Sequence, residues 1–273
     1  MASGFRSTTA TGRRLFLKSA LASALPLTMA ASSVAKAQVA RRTYVLVHGA
    51  WHGGWCWKPV RERLEAQGHR VLTPTLTGLA DRSHLLSDRI VLQTHIDDIV
   101  NLYRWEDLTN VVLVGHSYGG WPVSGALESV HDRTAAVVFV DAFVPENGQA
   151  GRDLTSPGIR KILDESLAKG EIARPAPDAS VFNLANAKDV PWLNERMTPQ
   201  PNGVAVAPIQ LRGGREKVAR KIYVRGTRYA NASFDGYLAR AQQTSGWQAH
   251  ALDCGHHVML DQSEQLTAIL TEA

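Results

Sequence analysis

The stretch that decides the fold is VVLVGHSYGG at residues 111–120. Its apolar start is typical of a short buried strand, and the pattern Gly115-x-Ser117-x-Gly119 requires a sharp turn into a helix. Such a turn holds the serine at the carboxyl end of the strand, and the two glycines leave room for close packing of the helix. The N-terminus of that helix presents backbone N–H groups to negative charge. The stretch therefore predicts that Ser117 is a nucleophile.

A second glycine-rich turn follows an earlier apolar run, in YVLVHGAWHGGW at residues 44–55. Backbone N–H groups in a turn at this place can bind an oxyanion together with the N–H of the residue after the nucleophile. We assign these two donors to Ala50 and Tyr118. The aromatic residues near these turns, Trp51 and Trp121, are expected to line an apolar substrate pocket.

The general base is expected in LDCGHHVML at residues 252–260, which follows the last apolar run. A Gly-His turn at this point can bring an imidazole over the nucleophile, and the order of serine first and histidine last fits such a site. We assign the base to His256, with His257 as the other candidate. If His256 is the base, His257 is expected in or just behind the pocket wall. No histidine has convincing spacing for a metal site.

Short apolar runs alternate with longer amphipathic ones, which predicts an α/β fold with a mostly parallel sheet flanked by helices. The run from about 144 to 216 breaks this alternation and is rich in proline. It is too long for a plain loop, and we expect a helical cap inserted over the strand ends, with a separate small domain as the alternative. The predicted strands are residues 43–47, 70–74, 110–115, 135–141, 221–226 and 248–253.

The quoted motifs, together with AFVPENG at residues 142–148, resemble one branch of the α/β-hydrolase superfamily. That branch contains plant methylesterases such as the salicylate-binding esterase, hydroxynitrile lyases and many bacterial esterases. The resemblance implies an α/β-hydrolase fold over residues 38–273 and implies neither a metal nor an organic cofactor. It is specific to the branch and not to a substrate.

The chain departs from this branch at the acid that should orient the histidine. Many relatives carry an aspartate in the loop that here reads TRYAN, residues 227–231, which holds no acid. Asp141 is the best substitute because it ends the strand after the nucleophile strand, although a purely structural carboxylate there is nearly as well supported. The remaining candidates are Asp253, which is close to the histidine in sequence, Asp235, which is expected to face solvent on a helix, and a neutral hydrogen bond from Tyr229 or Asn231.

These residues predict a serine hydrolase that cleaves a small, apolar carboxylic ester through an acyl-enzyme. One alternative is a carbon–carbon lyase of the hydroxynitrile type, but such relatives carry a threonine and a lysine where this chain has Gly49 and His257. Another is a ligand-binding protein with little turnover, which the missing loop aspartate motivates. The expected partner is a small ester.

The first 37 residues are expected to form a twin-arginine signal peptide. TGRRLFLK at residues 11–18 resembles the export motif, an uncharged apolar stretch follows at 19–34, and AKA at 35–37 is a cleavage pattern. A membrane-anchoring helix is the alternative, but the stretch is short and interrupted by Pro26. The export machinery is therefore an expected partner of the precursor. The mature protein is expected to be periplasmic or secreted, with no stable membrane span.

The net charge gives no hint of a polyanionic partner. Five basic residues in the first 37, which hold no acid, account for the whole formal charge of +5. The remainder is formally neutral, so we expect no nucleic-acid partner. Only two cysteines occur, Cys56 and Cys254, and two free buried thiols are favoured over a disulfide.

Overall fold

Six parallel strands form the main sheet, in the spatial order β2-β1-β3-β4-β7-β8. The computed structural model describes residues 41–273, so the predicted signal peptide lies outside the described residues. All six predicted strands are present within two residues of the expected bounds, and the predicted α/β fold with a parallel sheet flanked by helices is confirmed. The strands are β1 (Thr43–Val47), β2 (Arg70–Leu72), β3 (Val111–His116), β4 (Thr134–Val140), β5 (Ala173–Arg174), β6 (Gln200–Pro201), β7 (Arg220–Gly226) and β8 (Trp247–Leu252).

The four central strands, β1, β3, β4 and β7, are buried on both faces because alternate residues pack into two different cores. In β1, Val45 and Val47 belong to one core. Tyr44 and Leu46 belong to the other core. Nearly continuous apolar strands are therefore required, and they are what the sequence contains.

Helices cover both faces. Side chains of α2, α3 and α8 join the first core, and side chains of α1 and α10 join the second. The helices are α1 (Lys58–Ala66), α2 (Leu92–Trp105), α3 (Gly120–Val130), α4 (Gly151–Leu154), α5 (Pro157–Ala168), α6 (Asp189–Arg196), α7 (Gly214–Lys217), α8 (Ala232–Gln243), α9 (Val258–Asp261) and α10 (Ser263–Glu272).

The proline-rich segment that we predicted as a cap, residues 144–216, contributes no strand to the main sheet. It contains helices α4 to α7 and a small antiparallel pair, β5 with β6. The main sheet resumes at Arg220. The segment is therefore an insertion between two neighbouring strands, since β4 pairs directly with β7.

Both cysteines, Cys56 and Cys254, are buried free thiols. Burial raises the pKa of each thiol, that of Cys254 to about 12, so both are protonated at neutral pH. Within residues 41–273, no helix combines the length and the apolar character that crossing a bilayer demands.

The glycine that begins α3 is the tightest point between a helix and the rest of the fold. A Cβ built on Gly120 would lie 2.0 Å from the backbone oxygen of Phe143, in the segment that follows β4. Backbone cannot move away as a flexible side chain can. This position therefore accepts only glycine without a shift of the helix.

We expect Gly120→Ala to lower the free energy of unfolding by about 1–3 kcal/mol, the usual effect of overpacking. Urea unfolding followed by tryptophan fluorescence measures this change. The matched control is Gly236→Ala in the interior of α8, where a Cβ would meet no atom within 4 Å. Gly236→Ala should raise the free energy of unfolding by about 0.5–1 kcal/mol, because glycine is unfavourable inside a helix. Equal stability of the two variants would contradict the packing argument.

Candidate active site

Ser117 lies at the turn between β3 and α3 and has a positive φ of 52°. Only a few per cent of residues other than glycine adopt this conformation, and it is typical of strained functional turns. Space for the turn comes from its glycines, because a Cβ on Gly119 would lie 2.6 Å from the backbone oxygen of His48. The local sequence therefore holds the Ser117 hydroxyl at the carboxyl end of the sheet.

His256 connects this hydroxyl to a buried carboxylate. Its Nε2 lies 2.9 Å from Ser117 Oγ, and its Nδ1 lies 2.7 Å from Asp141 Oδ2. Asp141 is fully buried. The network assigns the proton of the neutral imidazole to Nδ1, which donates to Asp141 and leaves Nε2 to accept the hydroxyl proton. The three groups have the arrangement in which an imidazole can activate a serine.

The other candidate carboxylates lie elsewhere. Asp253 is 75% exposed in its side chain and makes two hydrogen bonds with Arg228, at 2.7 and 2.6 Å. Asp235 is also exposed and pairs with Arg225. Among the described carboxylates, only Asp141 is within hydrogen-bond distance of the His256 ring.

The two neutral candidates also have other roles. Asn231 accepts backbone N–H groups with its Oδ1 at the start of α8. The ring of Tyr229 packs against the ring of His256, with centroids 4.4 Å apart. Phe182 and Phe234 also pack against the imidazole. Together these rings shield the His256–Asp141 hydrogen bond from water.

Sequence reasoning missed Arg225, which lies in β7 and is 1% exposed in its side chain. Its Nη1 donates to Asp141 Oδ1 at 2.7 Å, and the backbone N–H of Gly226 donates to the same oxygen at 3.0 Å. With His256, three donors thus hold one carboxylate. A charged residue inside a buried strand was the available signal, because a buried charge requires a partner.

The turn after β1 packs directly against Ser117. A Cβ on Gly49 would lie 2.9 Å from Ser117 Cβ, so only a glycine allows this approach. Ala50 and Tyr118, the residues assigned to the oxyanion donors, both line the cavity into which Ser117 opens. The backbone of Trp51, which has a positive φ of 64°, is held by a hydrogen bond from its N–H to Gln200 Oε1.

His257 does not line the cavity, so it is not a substrate-binding residue; of the two expected positions it has the one behind the wall, where it packs against Phe182. Its Nε2 lies 2.8 Å from Nε2 of His52, and both rings are buried. Burial lowers the pKa of His52 to about 4, so this ring is neutral at pH 7. Because His52 Nδ1 donates to the backbone oxygen of Ala50 at 2.6 Å, its Nε2 accepts from His257. The pair therefore braces the turn that carries Ala50.

The cavity above Ser117 has a volume of about 320 Å³. Trp51 and Trp121 both line it, as expected, and most of its remaining wall is apolar. Part of the wall comes from the inserted segment, including the charged residue Arg174, which sequence reasoning missed. No signal in the proline-rich segment marked this arginine.

Comparison with known proteins now identifies the fold family. A family model described as the alpha/beta hydrolase family matches residues 44–269. The chain belongs to this family. Its relatives include the carbendazim hydrolyzing esterase of Nocardioides sp. (strain SG-4G), which is 35% identical over 234 residues, 82% of this chain and 96% of that protein.

Other relatives in the family match over a shorter length. Methylesterase 2 of Arabidopsis thaliana is 38% identical over 110 residues, which are 39% of this chain and 41% of that protein. Among solved structures, an extracellular alpha/beta-hydrolase from a Paenibacillus species has a TM-score of 0.75 at 20% identity and covers 85% of this chain and 98% of its own. The resemblance to the methylesterase branch is thus confirmed, and the solved structure supports the fold.

We expect Asp141→Asn to slow the reaction of Ser117 with a fluorophosphonate by about 10³- to 10⁴-fold, because an amide favours the wrong histidine tautomer. The rate of covalent labelling, followed by intact-protein mass spectrometry, measures this effect. Asp253→Asn is the matched control, since it removes a nearby carboxylate that pairs only with Arg228. A control that reacts as slowly as Asp141→Asn would contradict the assignment of the acid.

Proposed function

We propose that this chain hydrolyses small carboxylic esters through a covalent acyl-enzyme on Ser117. The observation that carries the proposal is the continuous hydrogen-bonded chain Ser117–His256–Asp141, with donor–acceptor distances of 2.9 and 2.7 Å. Family membership and the esterases among the relatives support ester hydrolysis as the reaction.

In this mechanism His256 Nε2 takes the proton of Ser117 while the hydroxyl oxygen attacks the ester carbonyl. The backbone N–H groups of Ala50 and Tyr118 stabilise the oxyanion that forms. His256 then protonates the leaving alcohol, and water enters to release the acid by the same steps. Asp141 stabilises the imidazolium throughout, because its carboxylate is buried against the ring.

The two rival functions are less well supported by the geometry. The missing loop aspartate motivated a binding protein with little turnover, but the hydrogen bond between His256 Nδ1 and Asp141 Oδ2 supports an acid for the histidine from another part of the chain. A lyase of the hydroxynitrile type would need the threonine and lysine of such relatives. Here Gly49 contacts the nucleophile turn and His257 is paired with His52.

We expect Ser117→Ala to lower kcat for p-nitrophenyl acetate by at least about 10⁴-fold, because the attacking oxygen is removed. The wild-type protein should show an acetylated Ser117 when it is quenched early and analysed by peptide mass spectrometry. The matched control is Ser124→Ala in α3, which alters another buried serine that lies outside the cavity. Unchanged turnover in Ser117→Ala, with the variant folded, would exclude the proposed nucleophile.

Export behind a twin-arginine signal is the second part of the proposal. It is supported by the order of the arginine pair, apolar stretch and cleavage pattern in residues 11–37. The proposed site of action is therefore the periplasm or the medium, with mature protein that starts near Gln38.

We expect replacement of both Arg13 and Arg14 by lysine to leave uncleaved precursor in the cytoplasm, because the arginine pair is the feature that the export machinery reads. Fractionation of a bacterial host and the mass of the protein in each fraction measure this outcome. Arg6→Lys, which changes a basic residue outside the motif, is the control. Equal export of the double variant and the control would contradict the signal assignment.

A further inference from the structure

The cavity above Ser117 contains a buried positive charge. Arg174 lines this cavity and is 5% exposed. No carboxylate of residues 41–273 lies within 4.0 Å of its guanidinium nitrogens, in contrast to the buried Arg225, which pairs with Asp141. A buried charge without an ionic partner is costly and is rarely kept without a use.

The guanidinium is also poorly satisfied by neutral acceptors. Its Nη1 donates to the backbone oxygen of Pro201 at 3.3 Å and to Asn202 Oδ1 at 3.5 Å, both of which are long. Its Nε is buried and has no acceptor among the described residues. Burial lowers the pKa of Arg174 to about 10, so the group is still charged at neutral pH.

Two more donors without a described acceptor lie beside this arginine. They are Nε1 of Trp51 and Nε2 of Gln200. The centre of the Trp51 ring is 5.7 Å from Arg174 Cζ, and Gln200 is the residue opposite Arg174 in the β5–β6 pair. Directly opposite residues of an antiparallel pair lie on the same face. Because Gln200 Oε1 accepts the backbone N–H of Trp51, its amide nitrogen is the unsatisfied end. Both of these donors are fully buried, so Arg174 is the member of this group that supplies a charge to the cavity wall.

We propose that Arg174 forms a carboxylate-binding subsite on the wall of this cavity, and that the preferred substrate is an ester that carries a separate carboxylate. The Arg174 guanidinium carries only donors, so its complement is an anion and not a hydrocarbon or another donor. A guanidinium fork matches a carboxylate in particular. This inference rests on the proposed function and names the substrate class of the same cavity.

Different parts of the proposed substrate bind to different parts of the cavity. Ser117 receives the scissile ester, the aromatic and aliphatic wall takes the hydrocarbon, and Arg174 receives the distant carboxylate. The carboxylate can belong to the acyl side, as in a monoester of a dicarboxylic acid, or to the alcohol side, as in an O-acyl hydroxy acid. Both sources present the same group to the guanidinium.

Two pairs of substrates of equal chain length test the subsite and separate these sources. Monomethyl adipate with methyl hexanoate places the carboxylate on the acyl side, and 4-acetoxybutanoate with butyl acetate places it on the alcohol side. At pH 8 we expect kcat/KM to favour the charged member of one pair by about 10- to 100-fold, the range of a charge-assisted hydrogen bond. Preference for the neutral member in both pairs would overturn the proposal.

Variants of Arg174 test whether this residue is the cause. Arg174→Met should lower the ratio of kcat/KM between charged and neutral members by about 10- to 100-fold, whereas Arg174→Lys should retain part of it. Arg212→Met, an exposed arginine in the same insertion, is the matched control and should leave the ratio unchanged. If Arg174→Met lowers kcat/KM equally for the charged and the neutral substrate, so that their ratio is unchanged, the arginine only supports the fold.

A binding measurement separates this proposal from the esterase mechanism. Calorimetry with Ser117→Ala should show tighter binding of the charged member of the preferred pair, and loss of that difference when Arg174→Met is added. Binding of this kind without any turnover by wild type would support the subsite and contradict the esterase. Turnover without a charge preference in either assay would support the esterase and contradict the subsite.

Discussion

The Asp141 carboxylate is the constraint on which the rest of the site depends. It is fully buried and accepts three hydrogen bonds, one from His256 near the end of the chain and two from Arg225 and the backbone of Gly226 at the end of β7. A buried carboxylate must be satisfied in this way, and loss of one donor would leave uncompensated charge. The same bonds therefore orient the imidazole and hold the ends of β4 and β7 in register.

The part of the site around Ser117 depends on close contact between backbones. The turns after β1 and β3 pack against each other through Gly49 and Gly119, so the two proposed oxyanion donors lie beside Ser117. The buried pair of His52 and His257 then braces the first of these turns from behind the catalytic residues. Neutral imidazoles suit this role because they satisfy polar atoms without burying a charge.

The inserted segment completes the site from the other side. The backbone oxygen of Phe182 accepts the N–H of His256 at 2.9 Å, and Gln200 holds the backbone of Trp51. The insertion is thus attached to His256 and to the turn after β1, and it also supplies Arg174 to the cavity. A change in this segment can alter both the choice of substrate and the geometry of catalysis.

The sequence by itself determined the sheet, the strained turn at Ser117 and the family, because each of these depends on local runs of apolar residues and on glycines within them. It also pointed to His256. Only the tertiary structure decided which acid meets this histidine, because Asp141 and His256 are 115 positions apart and several carboxylates were available. The partner of Arg225, the role of His257 and the place of Arg174 in the cavity were likewise beyond local patterns, since burial and partners arise only when distant segments pack together.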